Sequence, residues 1–350
     1  MDYQPAILSL SLGRPGIHDF EYKMEQAAQA GFKGIELFFD DLQAVSRNIA
    51  GLDNDTKPTV DQLLSGADRC RDKCAGLGIT IITLQPYLFY DGLLDRAEQQ
   101  RRLHEDAPVW MRLCKRLGVT MIQVSANFLP ASSLVEDMEA HRDTVVDDLR
   151  ALADLGAAQN PPVRFAYEAL SFSTKIDTWQ AAWDIVKHAD RPNLGIVLDT
   201  FNLVGRIWAD PASENDDRRV PNANVELRKS LEELVAEVDL AKVYYLQIAD
   251  GERMKSPLVS GHEFHVDGQL PRMSWSRNAR LFMYEEEQGA YLPVEEMVRV
   301  VVEELGYTGW MSLELFSRTV AEPGDQVPVE HARRGIRSYR TMCDRLGLAG

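Results

Sequence analysis

The chain has 350 residues, 45% of them hydrophobic and 26% charged, which is typical of a globular protein with a full core. Because 54 Asp and Glu outnumber 38 Lys and Arg, the formal net charge is -16. Such a surface repels phosphate backbones and anionic lipid heads, so composition argues against a nucleic-acid or membrane partner. No linker or low-complexity tract divides the chain, and we expect one domain over residues 1–350.

Eight short apolar runs follow one another along the chain, and we predict a strand in each. They span residues 6–12, 34–39, 79–85, 119–125, 163–168, 194–199, 243–250 and 310–315. Most of these runs are continuously apolar, which is the pattern of parallel strands that are buried on both faces.

Longer stretches with helical periodicity separate the predicted strands. One of them carries an apolar stripe at i, i+3, i+4, i+7 and i+8, formed by Val294, Met297, Val298, Val301 and Val302. Eight alternating units predict an α/β fold, a (β/α)8 TIM barrel, which typically needs about 250 residues. We place the surplus in long loops at the C-terminal face of the barrel, chiefly 40–58, 205–222 and 249–292.

The cysteines and the N-terminal segment bear on the compartment. The four cysteines form no CxxC motif and no Cys/His cluster, so we expect neither a disulfide framework nor a zinc knuckle. The first ten residues carry an early acid and no basic segment before an apolar stretch, unlike a secretory signal. No uncharged run matches the ~20 apolar residues of a membrane helix. We therefore expect a cytoplasmic protein.

Polar residues close most of the predicted strands, at the face where TIM barrels carry their active sites. In chain order they are Glu36, Gln85, Ser125, Asn127, Glu168, Asp199, Gln247, Asp250 and Glu314. A single acid at a strand end is more often the partner of a loop Arg or of a helix N-terminus. Glu36 fits that reading, since it lies between Ile35 and Leu37 and can bond inside the barrel.

The last four strands differ, because they end in succession with Glu168, Asp199, Gln247 and Glu314. Three carboxylates that meet at one centre repel one another unless a cation offsets their charge. An oxygen cage of this kind suits a hard or borderline divalent cation. We therefore predict a metal site formed by these four residues.

The long segment after the seventh strand holds further candidates. His262 lies in it and could reach the barrel mouth to move protons, although a solvent-exposed loop histidine is the alternative. Arg277 and Arg280 follow Trp275 and Ser276, a group that suits a lid clamping a carboxylate. Pairing of these arginines with acidic surface residues is the alternative reading.

Several long motifs resemble the fungal 3-dehydroshikimate dehydratases of quinate catabolism, within the xylose isomerase-like barrels. They include GIELFFDDL from Gly34, LQPYLFYDGLLDR from Leu84, RPNLGIVLDTFNLVGR from Arg191 and MSWSRNARLF from Met273. The resemblance covers nearly the whole chain. It implies a lyase (a hydro-lyase) that converts 3-dehydroshikimate to protocatechuate and water through an enediolate stabilised by a divalent metal ion.

The resemblance also implies roles for individual residues. The family's metal ligands fall on Glu168, Asp199, Gln247 and Glu314, and the all-oxygen set favours Mn, Mg or Co. We take Glu168 and His262 as the catalytic residues. We expect a small-molecule carboxylate substrate to contact Gln85, Asn127, Asn202, Trp275, Ser276, Arg277 and Arg280.

One position departs from the bacterial members of this family. They read DTFH where this chain reads Asp199-Thr200-Phe201-Asn202, so the proton that a histidine would take there needs another acceptor. His262, Lys175 or a metal-bound water are the candidates, and the sequence does not choose among them.

Two other functions compete with the dehydratase. A sugar or sugar-phosphate isomerase or epimerase on the same barrel would use the same metal, but a neutral sugar would not need Arg277 or Arg280. A catalytically inactive ligand sensor would not need a redox-inert metal, so the complete ligand set argues against it. The sequence is compatible with a homo-oligomer and does not specify one.

Overall fold

The computed structural model describes residues 3–348 and contains a closed barrel of eight parallel strands. The strands are β1 (Tyr3–Leu8), β2 (Gly34–Phe38), β3 (Thr80–Tyr87), β4 (Met121–Ser125), β5 (Arg164–Glu168), β6 (Leu194–Asp199), β7 (Val243–Ile248) and β10 (Gly309–Leu313). Around the barrel they run β1-β10-β7-β6-β5-β4-β3-β2. The predicted (β/α)8 TIM barrel is confirmed, and each of the eight predicted strands is present.

Two further strands, β8 (Asp250–Gly251) and β9 (Arg280–Leu281), pair antiparallel outside the barrel. The helices are α1 (Phe20–Ala30), α2 (Phe39–Ala50), α3 (Val60–Gly76), α4 (Arg96–Arg101), α5 (Ala107–Leu117), α6 (Met138–Ala157), α7 (Trp179–Ala189), α8 (Thr200–Ile207), α9 (Ala223–Glu237), α10 (Pro271–Asn278), α11 (Val294–Arg299) and α12 (Gln326–Leu346). Within residues 3–348, none of them is both long and apolar enough to cross a membrane.

The predicted boundaries differ most from the structure after the first two strands. The segment 40–58, expected as a loop, begins with α2, because the chain turns into a helix directly after Phe38. The first strand ends at Leu8, and Ser9–Leu12 form a 3-10 turn. The Ser9 side chain explains this turn: its Oγ donates to Asp41 Oδ2 at 2.7 Å and accepts from Phe38 N at 2.9 Å.

The long segment 249–292 is more ordered than predicted. It contains β8, α10 and β9, and the short β8–β9 ladder pairs Gly251 with Arg280. This pairing holds α10 and β9 over the C-terminal face of the barrel. The residues that the sequence placed in a loop are therefore fixed by backbone hydrogen bonds.

The barrel lumen is layered. An apolar layer is formed by Ala6, Ile82, Met121, Ala166, Val197 and Tyr245, which are all buried. Successive side chains of a strand point to opposite faces, so residues two positions further on return to the lumen. On β5, β6 and β7 those residues are Glu168, Asp199 and Gln247, and strand register sets Asp199 beside Gln247. The alternation thus places polar side chains directly above an apolar floor.

A buried ion pair fixes the start of the barrel mouth. Lys23 of α1 is fully buried, and its Nζ lies 2.5 Å from Asp41 Oδ1 on α2 and 2.8 Å from the Gly13 carbonyl oxygen. A buried pair of this kind is costly to break, because the remaining charge would have no partner. It therefore ties the turns after β1 and β2 together, beside Phe38.

Candidate metal centre and its cavity

Three carboxylates from neighbouring strand ends meet in the polar layer of the lumen. Glu168 ends β5, Asp199 ends β6, and Glu314 directly follows β10. All three are buried, and each offers an oxygen within 4.8 Å of the oxygens of the other two. The strand-end prediction for these three residues therefore agrees with their placement.

Asn202 connects two of these carboxylates. Its Nδ2 donates to Glu168 Oε1 at 3.0 Å and to Asp199 Oδ2 at 2.6 Å. Its Oδ1 accepts from the backbone N and the Oγ of Ser171, at 3.0 and 3.1 Å. The amide is thus fully engaged in orienting the carboxylates, where the sequence predicted a substrate contact.

Two glutamines join the cluster to a fourth carboxylate, Glu36. Gln247 Nε2 donates to Glu314 Oε1 at 2.8 Å and to Glu36 Oε2 at 2.9 Å. Gln85 Nε2 donates to the same Glu36 oxygen at 2.6 Å. Glu36 therefore bonds inside the barrel, as its position between two apolar residues suggested.

Arg280 supplies positive charge to the cluster. Its Nη1 lies 2.9 Å from Asp199 Oδ2 and 2.6 Å from Glu314 Oε2, and its Nε and Nη2 donate to Ser276 Oγ. The guanidinium also lies 4.4 Å from the centroid of the Phe201 ring. Most of its donors are thus already committed to protein groups, although the sequence assigned it to the substrate.

The electrostatics favour a cation at this centre. Burial raises the pKa of the Glu168 carboxyl well above its usual range, and the charges of Glu314 and Asp199 raise this pKa further. Burial also raises the pKa of Glu314, while Arg280 opposes that rise. A divalent cation among these oxygens would lower both pKa values, since it favours the ionised forms.

The donor set fits such a cation. The Oε1 atom of Gln247 is buried and has no hydrogen-bond partner among residues 3–348, although a buried amide oxygen normally accepts a bond. Glu168, Asp199 and Glu314 contribute carboxylate oxygens, and the Gln247 side chain contacts the last of these through its Nε2. Three carboxylates and one amide oxygen are ligands that hard divalent cations prefer.

A cavity opens from the carboxylates toward solvent and encloses about 680 Å³ of space, part of it open. Its lining combines polar and apolar side chains. The polar ones are Gln85, Ser125, Glu168, Ser276, Arg277, Arg280 and Glu314. The apolar ones are Phe38, Pro86, Leu88, Phe128, Leu170, Phe172 and Phe316. A small ligand would thus meet both charged groups and aromatic rings.

Three residues predicted to contact a substrate lie outside this cavity lining: Asn202, described above, Asn127 and Trp275. Asn127 Nδ2 donates to the Asp91 carbonyl oxygen at 2.9 Å and its Oδ1 accepts from Leu129 N at 3.0 Å, so it orders a loop. Trp275 is fully buried, donates to the Glu252 carbonyl oxygen at 2.8 Å, and packs against Gly251. Trp275 thus anchors α10 to β8.

The structure separates the other predicted residues. Arg277 is exposed, lines the cavity mouth and donates to the neutral Gln269 Oε1 at 2.8 Å. His262 lies in the preceding loop, where its Nδ1 accepts from Phe264 N at 3.1 Å. Lys175 donates to the Glu136 carbonyl oxygen. Neither His262 nor Lys175 belongs to the lining of this cavity.

Gln123 and two aromatic residues of the cavity lining, Phe128 and Phe172, were not predicted from the sequence. Gln123 is fully buried on β4, and its Nε2 donates to Glu168 Oε2. Its signal was present, since it is an amide inside an apolar run and lies two positions before Ser125, on the same face of the strand. Phe128 and Phe172, whose rings meet edge to face with centroids 5.7 Å apart, follow β4 and β5 without a pattern of their own.

Comparison with known proteins agrees with this geometry. A family model for the xylose isomerase-like TIM barrel matches residues 24–342. The chain is 45% identical to the 3-dehydroshikimate dehydratase of Neurospora crassa over 345 residues, which cover 98% of this chain and 94% of that protein. The resemblance deduced from the motifs is therefore confirmed.

For two more distant relatives, the match includes most of this chain but less than half of the other protein. The 3-dehydroshikimate dehydratase of Pseudomonas aeruginosa is 30% identical over 84% of this chain and 36% of that protein. A solved xylose isomerase-like TIM barrel/4-hydroxyphenylpyruvate dioxygenase fusion protein has a TM-score of 0.71 at 24% identity. It covers 99% of this chain and 43% of that one, and the likeness concerns the fold alone.

Arg280→Met should destabilise the metal-free protein by about 3–5 kcal/mol, because it leaves buried carboxylates without their guanidinium partner. Added Mn²⁺ should then stabilise this variant more than the wild type, since the cation replaces the lost charge. Urea unfolding with and without Mn²⁺ measures both effects. Arg334→Met is the control, because it breaks a buried 2.7 Å pair with Glu285 outside the cluster. An equal response of the two variants to Mn²⁺ would contradict this role of Arg280.

Proposed function

This chain belongs to the xylose isomerase-like TIM barrel family, and from that premise we propose that it is a 3-dehydroshikimate dehydratase. The reaction is the conversion of 3-dehydroshikimate to protocatechuate and water by a hydro-lyase. The observation that carries the proposal is the buried oxygen set of Glu168, Asp199, Gln247 and Glu314, of which Glu168 and Glu314 line an open cavity. The 45% identity to the Neurospora crassa enzyme over nearly the whole chain supports it.

The chemistry of the substrate matches these groups. 3-Dehydroshikimate has an acidic proton beside its ketone and a hydroxyl placed for elimination, and loss of water leads to an aromatic ring. A divalent cation bound to the four oxygens would supply Lewis acidity, which stabilises the negative charge that develops on the ketone oxygen. The all-oxygen set favours Mn, Mg or Co over tightly held Zn.

The chain's own residues orient and enclose the reacting groups. Asn202 and Arg280 hold the carboxylates in place, so little reorganisation is needed when a cation binds. Phe128 and Phe172 line the same cavity, where they exclude water and present apolar surface to the flat ring of the product. Arg277 lines the cavity, and we propose that it pairs with the substrate carboxylate in a planar fork.

The compartment and assembly state stay predictions. All four cysteines are buried and unpaired, as expected of a protein from a reducing compartment such as the cytoplasm. A small carboxylate is the partner that the cavity suits.

Activity should depend on a divalent metal. We expect chelation to abolish the formation of protocatechuate from 3-dehydroshikimate and Mn²⁺, Co²⁺ or Mg²⁺ to restore it. The ultraviolet absorbance of protocatechuate measures both effects. Glu168→Ala should lower both metal affinity and rate, the rate by ~100-fold or more, since a ligand is lost. Asp148→Asn controls for general loss of stability, because it alters a buried carboxylate of α6 that pairs with Arg96 of α4. Full activity in metal-free protein would refute the proposed chemistry.

Arg277→Ala should lower kcat/KM by roughly 100-fold and leave the bound metal unchanged, because Arg277 contacts none of the four ligands. Steady-state kinetics and metal analysis of the same samples separate the two effects. Arg333→Ala is the control, because it removes an exposed arginine of α12 that does not line the cavity. This variant should match the wild type. If Arg277→Ala keeps wild-type kinetics, the carboxylate is bound elsewhere, and turnover of a neutral sugar by both proteins would favour the epimerase.

Asn202→Ala should lower the rate without removing an ionisation from the pH–rate profile, since the amide orders Glu168 and Asp199 and carries no titrating proton.

His262→Ala tests the predicted acid–base role of His262, which requires its loop to bring the ring from Phe264 to the cavity. That role predicts the loss of one limb of the profile. A His262 variant with unchanged rate and profile would show that this histidine does not move the proton.

A further inference from the structure

The amide of Gln247 is held in one orientation by two carboxylates. Both Nε2 hydrogens are used, one by Glu36 Oε2 at 2.9 Å and one by Glu314 Oε1 at 2.8 Å. Carboxylates accept and do not donate when ionised, so a reversed amide would set its oxygen against two negative oxygens. Oε1 therefore points away from both, and it is one of several buried side-chain atoms that lack a hydrogen-bond partner within residues 3–348.

Glu36 is well placed to enforce this orientation. It is fully buried on β2, across the lumen from β7, and the same Oε2 atom also accepts from Gln85 at 2.6 Å and Tyr245 OH at 2.8 Å. Three donors converge on one oxygen, which keeps the carboxylate in place. Glu36 is not among the three acids whose oxygens lie within 4.8 Å of one another.

The contact with Glu36 also affects how strongly the Gln247 oxygen can bind a cation. A hydrogen bond from an amide N–H to an anion is shorter and stronger than one to a neutral acceptor. Two such bonds on Nε2 draw the amide proton toward the anions and leave more negative charge on Oε1. A neutral amide is otherwise a weaker ligand than a carboxylate, so this polarisation compensates for the missing charge at position 247.

We propose that Glu36 is a positioning residue, which turns the Gln247 amide so that its oxygen faces the divalent cation and polarises it. This proposal rests on the metal dependence of the proposed function and adds a residue that touches neither cation nor substrate. A purely structural role for Glu36 would affect folding stability and leave the affinity of the folded protein for a cation unchanged.

The test is Mn²⁺ binding by calorimetry to metal-free protein, with no substrate present. The wild type should bind Mn²⁺, and Glu36→Gln should bind it roughly 10–100-fold more weakly, the usual effect of losing an outer partner of a ligand. Tyr245→Phe is the matched control, because it removes a donor from the same Glu36 oxygen and leaves the contact with Gln247 in place. Because Gln85 still donates to the Glu36 oxygen, this variant should lose much less Mn²⁺ affinity than Glu36→Gln.

An exchange of the two side chains tests the orientation itself. Gln247→Glu alone should weaken Mn²⁺ binding, because the new carboxylate faces Glu36 in the lumen. Glu36→Gln combined with Gln247→Glu should recover affinity, because the amide at position 36 then donates to the carboxylate at position 247. This comparison also serves if Glu36→Gln alone does not fold, which thermal unfolding of each metal-free variant reveals.

The outcomes separate the two proposals. Wild-type affinity in Glu36→Gln, or a double variant no tighter than Gln247→Glu, would overturn the role of Glu36 while the metal site stands. A wild-type protein that does not bind Mn²⁺ would overturn the metal dependence of the proposed function, and the role of Glu36 with it.

Discussion

Burial of three carboxylates within 4.8 Å of one another is the constraint on which the rest of the site depends. Removed from water, such groups repel one another strongly, and each needs donors or a cation to stay ionised. The surrounding residues meet this need in part: Gln123 and Asn202 donate to Glu168, and Arg280 donates to Asp199 and Glu314. One guanidinium does not balance three ionised carboxylates, so a divalent cation would offset the remaining charge and favour the ionised form of all three.

The fold creates this cluster through register. Parallel strands end at the same face of a barrel, and the two-residue period returns Glu168, Asp199 and Gln247 to the lumen above an apolar floor. The positive charge that faces these carboxylates comes from outside the barrel, since β9 carries Arg280 and is held by its pairing with β8. A segment remote in sequence thus supplies the positive charge that the strand ends lack.

The strands and the ligand positions could be predicted from the sequence because both follow local rules. Continuous apolar runs indicate buried parallel strands, and the residues that end the last four of them, three acids and one glutamine, point to one centre. The partners of these acids could not be predicted. Whether Arg280 contacts the substrate or a carboxylate of its own chain depends on how α10 and β9 pack. For the same reason the sequence did not place Trp275 behind the cavity, or His262 outside the lining around Glu168. Asn202 lies one turn after Asp199 on the helix that follows β6, and its role became visible only with Glu168 beside it.

The most direct measurement is anomalous diffraction from crystals of the protein soaked in Mn²⁺ and no other transition metal. The account predicts one strong peak in the lumen, about 2.0–2.4 Å from oxygens of Glu168, Asp199, Gln247 and Glu314. The Gln247 ligand atom should be Oε1, with Nε2 still bonded to Glu36. No peak at this position under saturating Mn²⁺, with Arg280 still paired to Asp199 and Glu314, would contradict the account.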